Sequence, residues 1–481
     1  MNLVKRSLFT EDWLSVWIGL FVFILSLGLF VNADLLGWGI KTNVWGDFSL
    51  STTTVSKTFE GLTGVISLFF TYIFLLLVVG LGLKALGTKF RNFILPFTIV
   101  FFISYCCWFL GHYAYIAATS NQLDKFGISW SLNLTGEAGY IIALIAGLVI
   151  GNFLPKTVDK IKAATRPELF IKTAIVILGA GLGVKAVESV GLASTIMFQG
   201  LSAIVVAYLI FWALVYFIAR KYFKFSKEWA APLASGISIC GVSAAIATGS
   251  AIRARPVIPI MVSSLVVVFA VFELILLPIL AQVFLWAEPM VAAAWMGLAV
   301  KTDGAAVASG AVTEALIRAK ALAYGINYKE GWMVMTATTV KVFIDIFIGI
   351  WAFVLALIWC SKIERKKNSE KVRAREIWDR FPKFVIGYVL TFLIFLFICL
   401  ISPALIGKAT AASNETNTFR VMFFVFTFFT IGVVSNFKKL KEEGIGKLAL
   451  VYVICLFGFI IWVGLLISWI FFHGITPPII Q

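Results

Sequence analysis

Four short polar side chains, Ser235, Ser238, Cys240 and Ser243, surround two glycines, Gly236 and Gly241, inside a run that reads LASGISICGVSAAIATGSAI. Fourteen of the twenty residues from Leu233 to Ile252 are Gly, Ala, Ser, Thr or Cys, in a chain otherwise rich in Phe, Leu, Ile and Val. Small residues admit a second backbone at close range, and glycines let a helix break. A break inside a membrane frees N–H and C=O groups, which is tolerated only where protein or a wet cavity satisfies them. The helix that resumes after the break offers a partly positive N-terminal end with free donors, which suits an anion, and the hydroxyls add to it. Close packing of neighbouring helices is the other use of the same composition.

A second stretch, Gly297–Ala311 (GLAVKTDGAAVASGA), repeats the small-residue composition and adds Lys301, Thr302, Asp303 and Gly304. A charge at the bilayer centre costs about 2.5–3.5 kcal/mol on insertion scales, so it is retained where it pairs, faces a cavity or acts. Lys301 can bind an anionic substrate and Asp303 can take a proton or a cation; a mutual salt bridge is the alternative. Lys341 and Asp345 share a helix face at i, i+4, preceded by Thr336, Thr338 and Thr339. The expected substrate set is therefore Ser235, Gly236, Ser238, Cys240, Gly241, Ser243, Lys301, Thr302, Gly304 and Lys341, with Asp303 and Asp345 for ion or proton coupling. Glu273 is a lone carboxylate, expected near a boundary or neutral. Arg253 and Arg255 line an outer mouth or anchor at headgroups, Asn152 before Pro155 marks a helix end, and Lys172 snorkels to the interface.

These residues need a membrane scaffold. The chain has 481 residues, is 61% hydrophobic and has a mean hydropathy of +0.99, which places it in the membrane class. Thirteen spans are predicted, at roughly 13–33, 61–85, 92–118, 138–155, 167–187, 198–219, 229–252, 256–286, 289–317, 331–360, 382–404, 418–436 and 447–472. The seventh and ninth are interrupted. The net charge of +16 does not imply nucleic acid, because the basic residues fall in short loops. With the N-terminus in the cytoplasm, 26 of the 40 Lys and Arg lie inside and 11 outside, so the N-terminus and the loop 361–383 are cytoplasmic and the C-terminus outside. The acidic pair Glu11-Asp12 and the length of the first span mark a retained helix rather than a cleaved signal.

Residues 1–137 hold three bulky, aromatic spans and read as a membrane extension, with a polar, Trp-punctuated loop over 34–60. Residues 138–481 hold a ten-span transporter core. A faint internal echo pairs LGAGLGVKAVESVG, near 178–191, with IGVVSNFKKLKEEG, near 431–444, so that Gly179 meets Gly432 at an offset of 253. The fold class is an all-α polytopic membrane protein with two interrupted helices. With two histidines and no CxxC, neither a metal site, a cofactor nor a disulfide framework is expected, and no nucleophile–base pair points to an enzyme. The expected partners are the lipid bilayer and a small anion, with no nucleic acid; the three extra helices offer a face for a homodimer.

The motif Gly-x-Ser-Ile-Cys-Gly-x-Ser-Ala at Gly236–Ala244 resembles the hallmark of the bacterial sulfate exporter family. Gly151-Asn152, Leu169-Phe170 with Lys172, the Gly179/Gly183 segment, Gly297–Gly310 and Lys341 add to the resemblance, which covers about 138–475. It implies an inner-membrane protein of about ten helices, related to bile acid–sodium symporters and cation–proton antiporters, with inverted repeats and crossed broken helices. Two departures stand out. The family's usual His-Glu pair is here Lys301-Thr302, and its usual basic residue three after the helix lysine is Ile344, so proton chemistry by histidine is absent. The expected function is secondary transport, as export, of a small anion such as sulfate or an organic sulfonate. A sodium- or proton-coupled organic-anion symporter and a non-transporting membrane sensor are the alternatives.

Overall fold

The computed structural model describes residues 10–480 apart from 119–121, 133, 135, 137, 189, 253, 256, 360–381 and 436–445. It opens with α1 (Glu11–Ser26), a hairpin of β1 (Ile40–Thr42) and β2 (Thr52–Thr54), then α2 (Gly64–Ala85), α3 (Phe90–Gly111), α4 (Ala138–Phe153), α5 (Pro155–Ile161) and α6 (Pro167–Glu188). There follow α7 (Val190–Lys221), α8 (Lys227–Ser238), α9 (Gly241–Ala251), α10 (Val257–Phe284), α11 (Pro289–Ala299), α12 (Asp303–Ala323) and α13 (Trp332–Ile358). The chain continues with α14 (Phe384–Ile401), α15 (Ile406–Val434), α16 (Gly446–Cys455), a π turn at Leu456–Ile460 and α17 (Ile461–Phe472). Among the described residues nine helices are long and apolar enough to cross a membrane, or ten if α4 and the segment from Pro155 to Ala164, bent by 113°, count as one span. The protein is thus an all-helical membrane protein. The bend falls where Asn152 and Pro155 mark a helix end, with Asn152 Nδ2 donating to Leu148 O at 3.0 Å.

Two compact units divide the chain. The first comprises residues 1–193, 318–326 and 383–434. In it α1 is capped by Thr10, whose hydroxyl accepts from Trp13 N, and carries Glu11 and Asp12 in its first turn, where the helix dipole favours them. The acidic pair also ties the helix down: Asp12 Oδ1 lies 3.1 Å from Lys172 Nζ, Asp12 Oδ2 accepts from Lys383 N at 2.6 Å, and Glu11 lies 3.4 Å from Arg166. Lys172 sits in an ion-pair cluster with Asp12 and Glu168, both in the first turns of their helices.

The loop over 34–60 folds into the β1–β2 hairpin, in register Ile40 with Thr54, and Ile40 N donates to Thr71 Oγ1 on α2. The span expected from 418 begins twelve residues earlier, at Ile406. Its polar first half is helical because Ala409, Ala412, Glu415, Thr416 and Phe419 recur at helical spacing on one buried face, and Ala409 and Ala412 pack with Phe23, Phe395 and Cys399.

Glycines set the closest helix crossings of this unit. A Cβ on Gly147 of α4 would collide with Phe429 O of α15, and one on Gly432 of α15 with Leu144 O of α4. A Cβ on Gly179 of α6 would collide with Tyr388 O of α14. Gly179 and Gly432, matched in the sequence echo, thus do the same work in two different helix pairs, α6 on α14 and α15 on α4.

The second unit comprises residues 194–317, 327–382 and 435–481. It holds both helix interruptions. The α8–α9 pair breaks at Ile239 and Cys240, and the α11–α12 pair breaks over 300–302. The start of α13 is held from α12: Glu314 accepts from Gly331 N at 2.5 Å and from Val334 N at 2.9 Å, satisfying first-turn donors of α13 with a carboxylate.

Candidate functional site

The two breaks meet. Ile239 leaves the helix at φ −107°, ψ −90°, and α9 resumes at Gly241. Val300 is extended at φ −78°, ψ 127°, and α12 resumes at Asp303. Gly241 N donates to Lys301 O at 2.5 Å, so one break closes on the backbone of the other. A Cβ on Gly241 would run into Val266 of α10, which is why the approach needs glycine.

Each break exposes helix-terminal carbonyls, and each set is met by a buried ammonium. Lys341 Nζ, carried by α13, donates to Ile239 O at 3.2 Å at the C-terminal end of α8. Lys301 Nζ donates to Leu298 O in the last turn of α11 and lies 5.0 Å from the Phe211 ring centroid. Cations are favoured at helix C-terminal ends, where unpaired carbonyls concentrate negative charge. Both lysines are essentially inaccessible, at 0% and 1% exposure.

Glu273, expected near a boundary or neutral, is fully buried in α10 and holds the second break. Its Oε2 accepts from Lys301 N at 2.8 Å and its Oε1 from the Tyr452 hydroxyl of α16 at 3.3 Å. Tyr452 in turn stacks on Phe269 at 4.7 Å. Neither Tyr452 nor Phe211 is singled out by the sequence; the signal for Glu273 was its isolation, a single carboxylate in a 28-residue apolar helix. A charge kept there needs a partner.

The hydroxyls divide by role. Ser235 accepts from Trp212 Nε1 at 3.0 Å and from Thr248 Oγ1 at 2.7 Å, binding α8 to α7 and α9. Thr302 Oγ1 accepts from Ala305 N at 3.2 Å and caps α12. Ser238, at the end of α8, and Thr338, three residues before Lys341 on α13, are buried and their hydroxyls have no hydrogen-bond partner among the described residues. Thr338, Lys341 and Asp345 recur on one face of α13. Asp345 is fully buried there, and Cys240 is buried in the first break. Gly236 packs against Val262 of α10. Ser243, Asp303 and Gly304 lie outside the residues whose side chains are described, as do Arg253 and the loop 361–383 up to Phe381. Arg255 is held by Glu228, whose Oε1 accepts from its N at 2.8 Å and its Nε at 3.2 Å. An apolar cavity of about 150 Å³ between α7 and α13, lined by residues such as Val205, Tyr208 and Trp351, offers little to an anion.

A family model described as Conserved hypothetical protein 698 matches residues 108–451. The chain belongs to this family, the UPF0324 membrane proteins. A UPF0324 membrane protein of Nitrosomonas europaea is 44% identical over 98% of this chain and 97% of its own length. An uncharacterized protein of Archaeoglobus fulgidus is 47% identical over 33% of this chain and 97% of its own length. A UPF0324 membrane protein of Rhodopirellula baltica is 31% identical over 65% of this chain and 54% of its own length. No solved structure matches the chain. The family carries no named function, and its matched region holds both breaks, Glu273, Lys301 and Lys341.

Proposed function

We propose that this chain is a secondary transporter that exports a small anion, sulfate or an organic sulfonate, through a site built where the two breaks meet. The observation that carries the reading is the junction itself: Gly241 N on Lys301 O, with two buried ammoniums on the adjoining helix ends. Interrupted helices whose ends converge are a device for holding an ion inside a membrane. Lys301 and Lys341 offer an anion two buried ammoniums, and Glu273 and Asp345, also buried, are the opposing acids described there. Ser238 and Thr338 supply hydroxyls with free hydrogen-bonding capacity. Any proton coupling falls to Asp303 and Asp345. Export is the electrically downhill direction for a dianion, at about 2.3 kcal/mol per charge per 100 mV in a negative-inside cell.

Architecture follows the same reading. Counting α8–α9, α11–α12 and α13 as crossings adds three spans to the ten and gives thirteen. The first three form an extension to a ten-span core. The matched roles of Gly179 and Gly432 support an inverted repeat in which α6 answers to α15 and α4 to α14.

The test is a thermal-shift series on purified protein against sulfate, sulfite, methanesulfonate and small carboxylates, followed by radiolabelled sulfate flux in liposomes. Sulfate or a sulfonate is expected to raise the melting temperature, and Ser238→Ala to weaken that binding about tenfold or more, the worth of one hydrogen bond to a charged group. A protein that responds to none of these anions and carries no flux removes the proposal.

A further inference from the structure

We infer that Lys301 and Lys341 stand in for a co-transported inorganic cation, so that anion binding at this junction is independent of sodium. The inference rests on the anion reading above and goes beyond it by fixing the coupling chemistry. A helix broken inside a membrane leaves C-terminal carbonyls without donors, and a half-helix C-terminal end with unwound carbonyls is the usual seat of a sodium ion in a secondary transporter. Here both such ends already hold a positive charge on the chain itself. Lys341 Nζ donates to Ile239 O at 3.2 Å, at the end of α8, and Lys301 Nζ donates to Leu298 O, at the end of α11.

The placement is specific in three respects. First, the lysines come from different elements, α13 and the second break, yet each ends on a terminal carbonyl. Second, each ammonium is sealed from solvent, so each is held by the fold and does not merely lie along it. Third, the break is braced from outside: Glu273 fixes Lys301 through its backbone N–H at 2.8 Å, and Gly241 fixes it through its carbonyl at 2.5 Å, leaving the ammonium free of that duty. A sodium ion at either end would have to displace an ammonium that cannot leave. The charge that a symporter borrows from the medium each cycle is covalently resident in this chain, and the substrate anion meets it on arrival.

The experiment compares full-length protein in lipid nanodiscs in sodium chloride and in choline chloride at equal concentration, first without and then with sulfate. Wild type is expected to melt at the same temperature in both salts and to show the same sulfate shift in both. Lys341→Ala and Lys301→Ala each empty one helix end; the expected outcome is a saturable, sodium-specific rise of about 2–4 °C that choline does not give. Lys341→Arg and Lys301→Arg keep the charge and are expected to show no sodium response. A saturable sodium shift in wild type, or a sulfate shift that needs sodium, overturns the inference, and this comparison needs no variant to fold. Alanine variants that fold and ignore sodium also overturn it. If sulfate shifts nothing in either salt, the anion reading fails, while the sodium comparison on protein alone still decides whether the lysines replace a cation.

Discussion

At the level of single residues, the buried carboxylate Glu273 has the clearest measurable role. One of its oxygens holds the backbone of the second break and the other the hydroxyl of Tyr452. Tyr452→Phe is expected to cost about 1–3 kcal/mol of stability, the range for losing a hydrogen bond to a charged acceptor in a buried site. Glu273→Ala strands the Lys301 N–H and the Tyr452 hydroxyl together and is expected to cost more; melting temperatures of both single variants and the double, in detergent, measure the coupling. Lys301→Gln is expected to weaken sulfate binding while Asp303→Asn changes its pH dependence; equal sulfate shifts in Lys301→Gln and wild type would falsify a ligand role for Lys301. The sequence showed the chemistry of this site only in part. Lys301, Lys341 and the two glycine-centred breaks were legible because charges and small residues are conspicuous among Phe and Leu. Glu273, Tyr452 and Phe211 were not, because their roles arise from contacts across 28 to 179 residues of sequence separation that no local pattern records.

Helices in this protein are joined by two devices, close crossings and braced ends. Glycine permits the close crossings. Gly147→Val and Gly432→Val each place a side chain against the backbone of the partner helix and are expected to abolish folding or lower the melting temperature sharply, by the cost of overpacking. Gly407, near the start of α15, has open space around it, so Gly407→Ala is expected to be neutral or to stabilise by up to about 1 kcal/mol. Fluorescence-detected size-exclusion yields and melting curves separate the two classes. If the valine variants behave like Gly407→Ala, the tight crossings of α4 on α15 are wrong. Element boundaries were less legible than element existence. The apolar runs located the long helices, yet the polar start of α15 read as a loop, because its buried face is made of Ala, Thr and Glu instead of large apolar residues. The 34–60 segment likewise lacks the alternation of a conventional strand pair, and its hairpin is held in part by Thr71 of α2, far away in sequence.

Across the whole molecule, the distribution of charge decides which way the proposed transporter faces. Counted over thirteen spans, 26 of 40 Lys and Arg fall on one side, nine of them between Lys362 and Lys383. Basic loops are retained in the cytoplasm because moving them across the membrane is unfavourable, so that side is expected inside. The count also ties orientation to the site. On the proposed orientation each interrupted segment is a full crossing, since treating either as a re-entrant loop would move the nine-charge loop outside. Orientation and site architecture therefore stand or fall together. A single cysteine introduced by Ser369→Cys, in a background without the six native cysteines, is expected to resist a membrane-impermeant maleimide in intact cells and to label after permeabilisation. A second tag following Gln481 is expected to be accessible in intact cells. Ready labelling at residue 369 together with a protected C-terminus means that the whole protein is inverted or that one broken segment fails to cross, and a tag before Met1, accessible only in the inverted protein, separates the two. Protection at both positions leaves the broken segments untouched and means that one of the three helical spans after residue 369 fails to cross the bilayer.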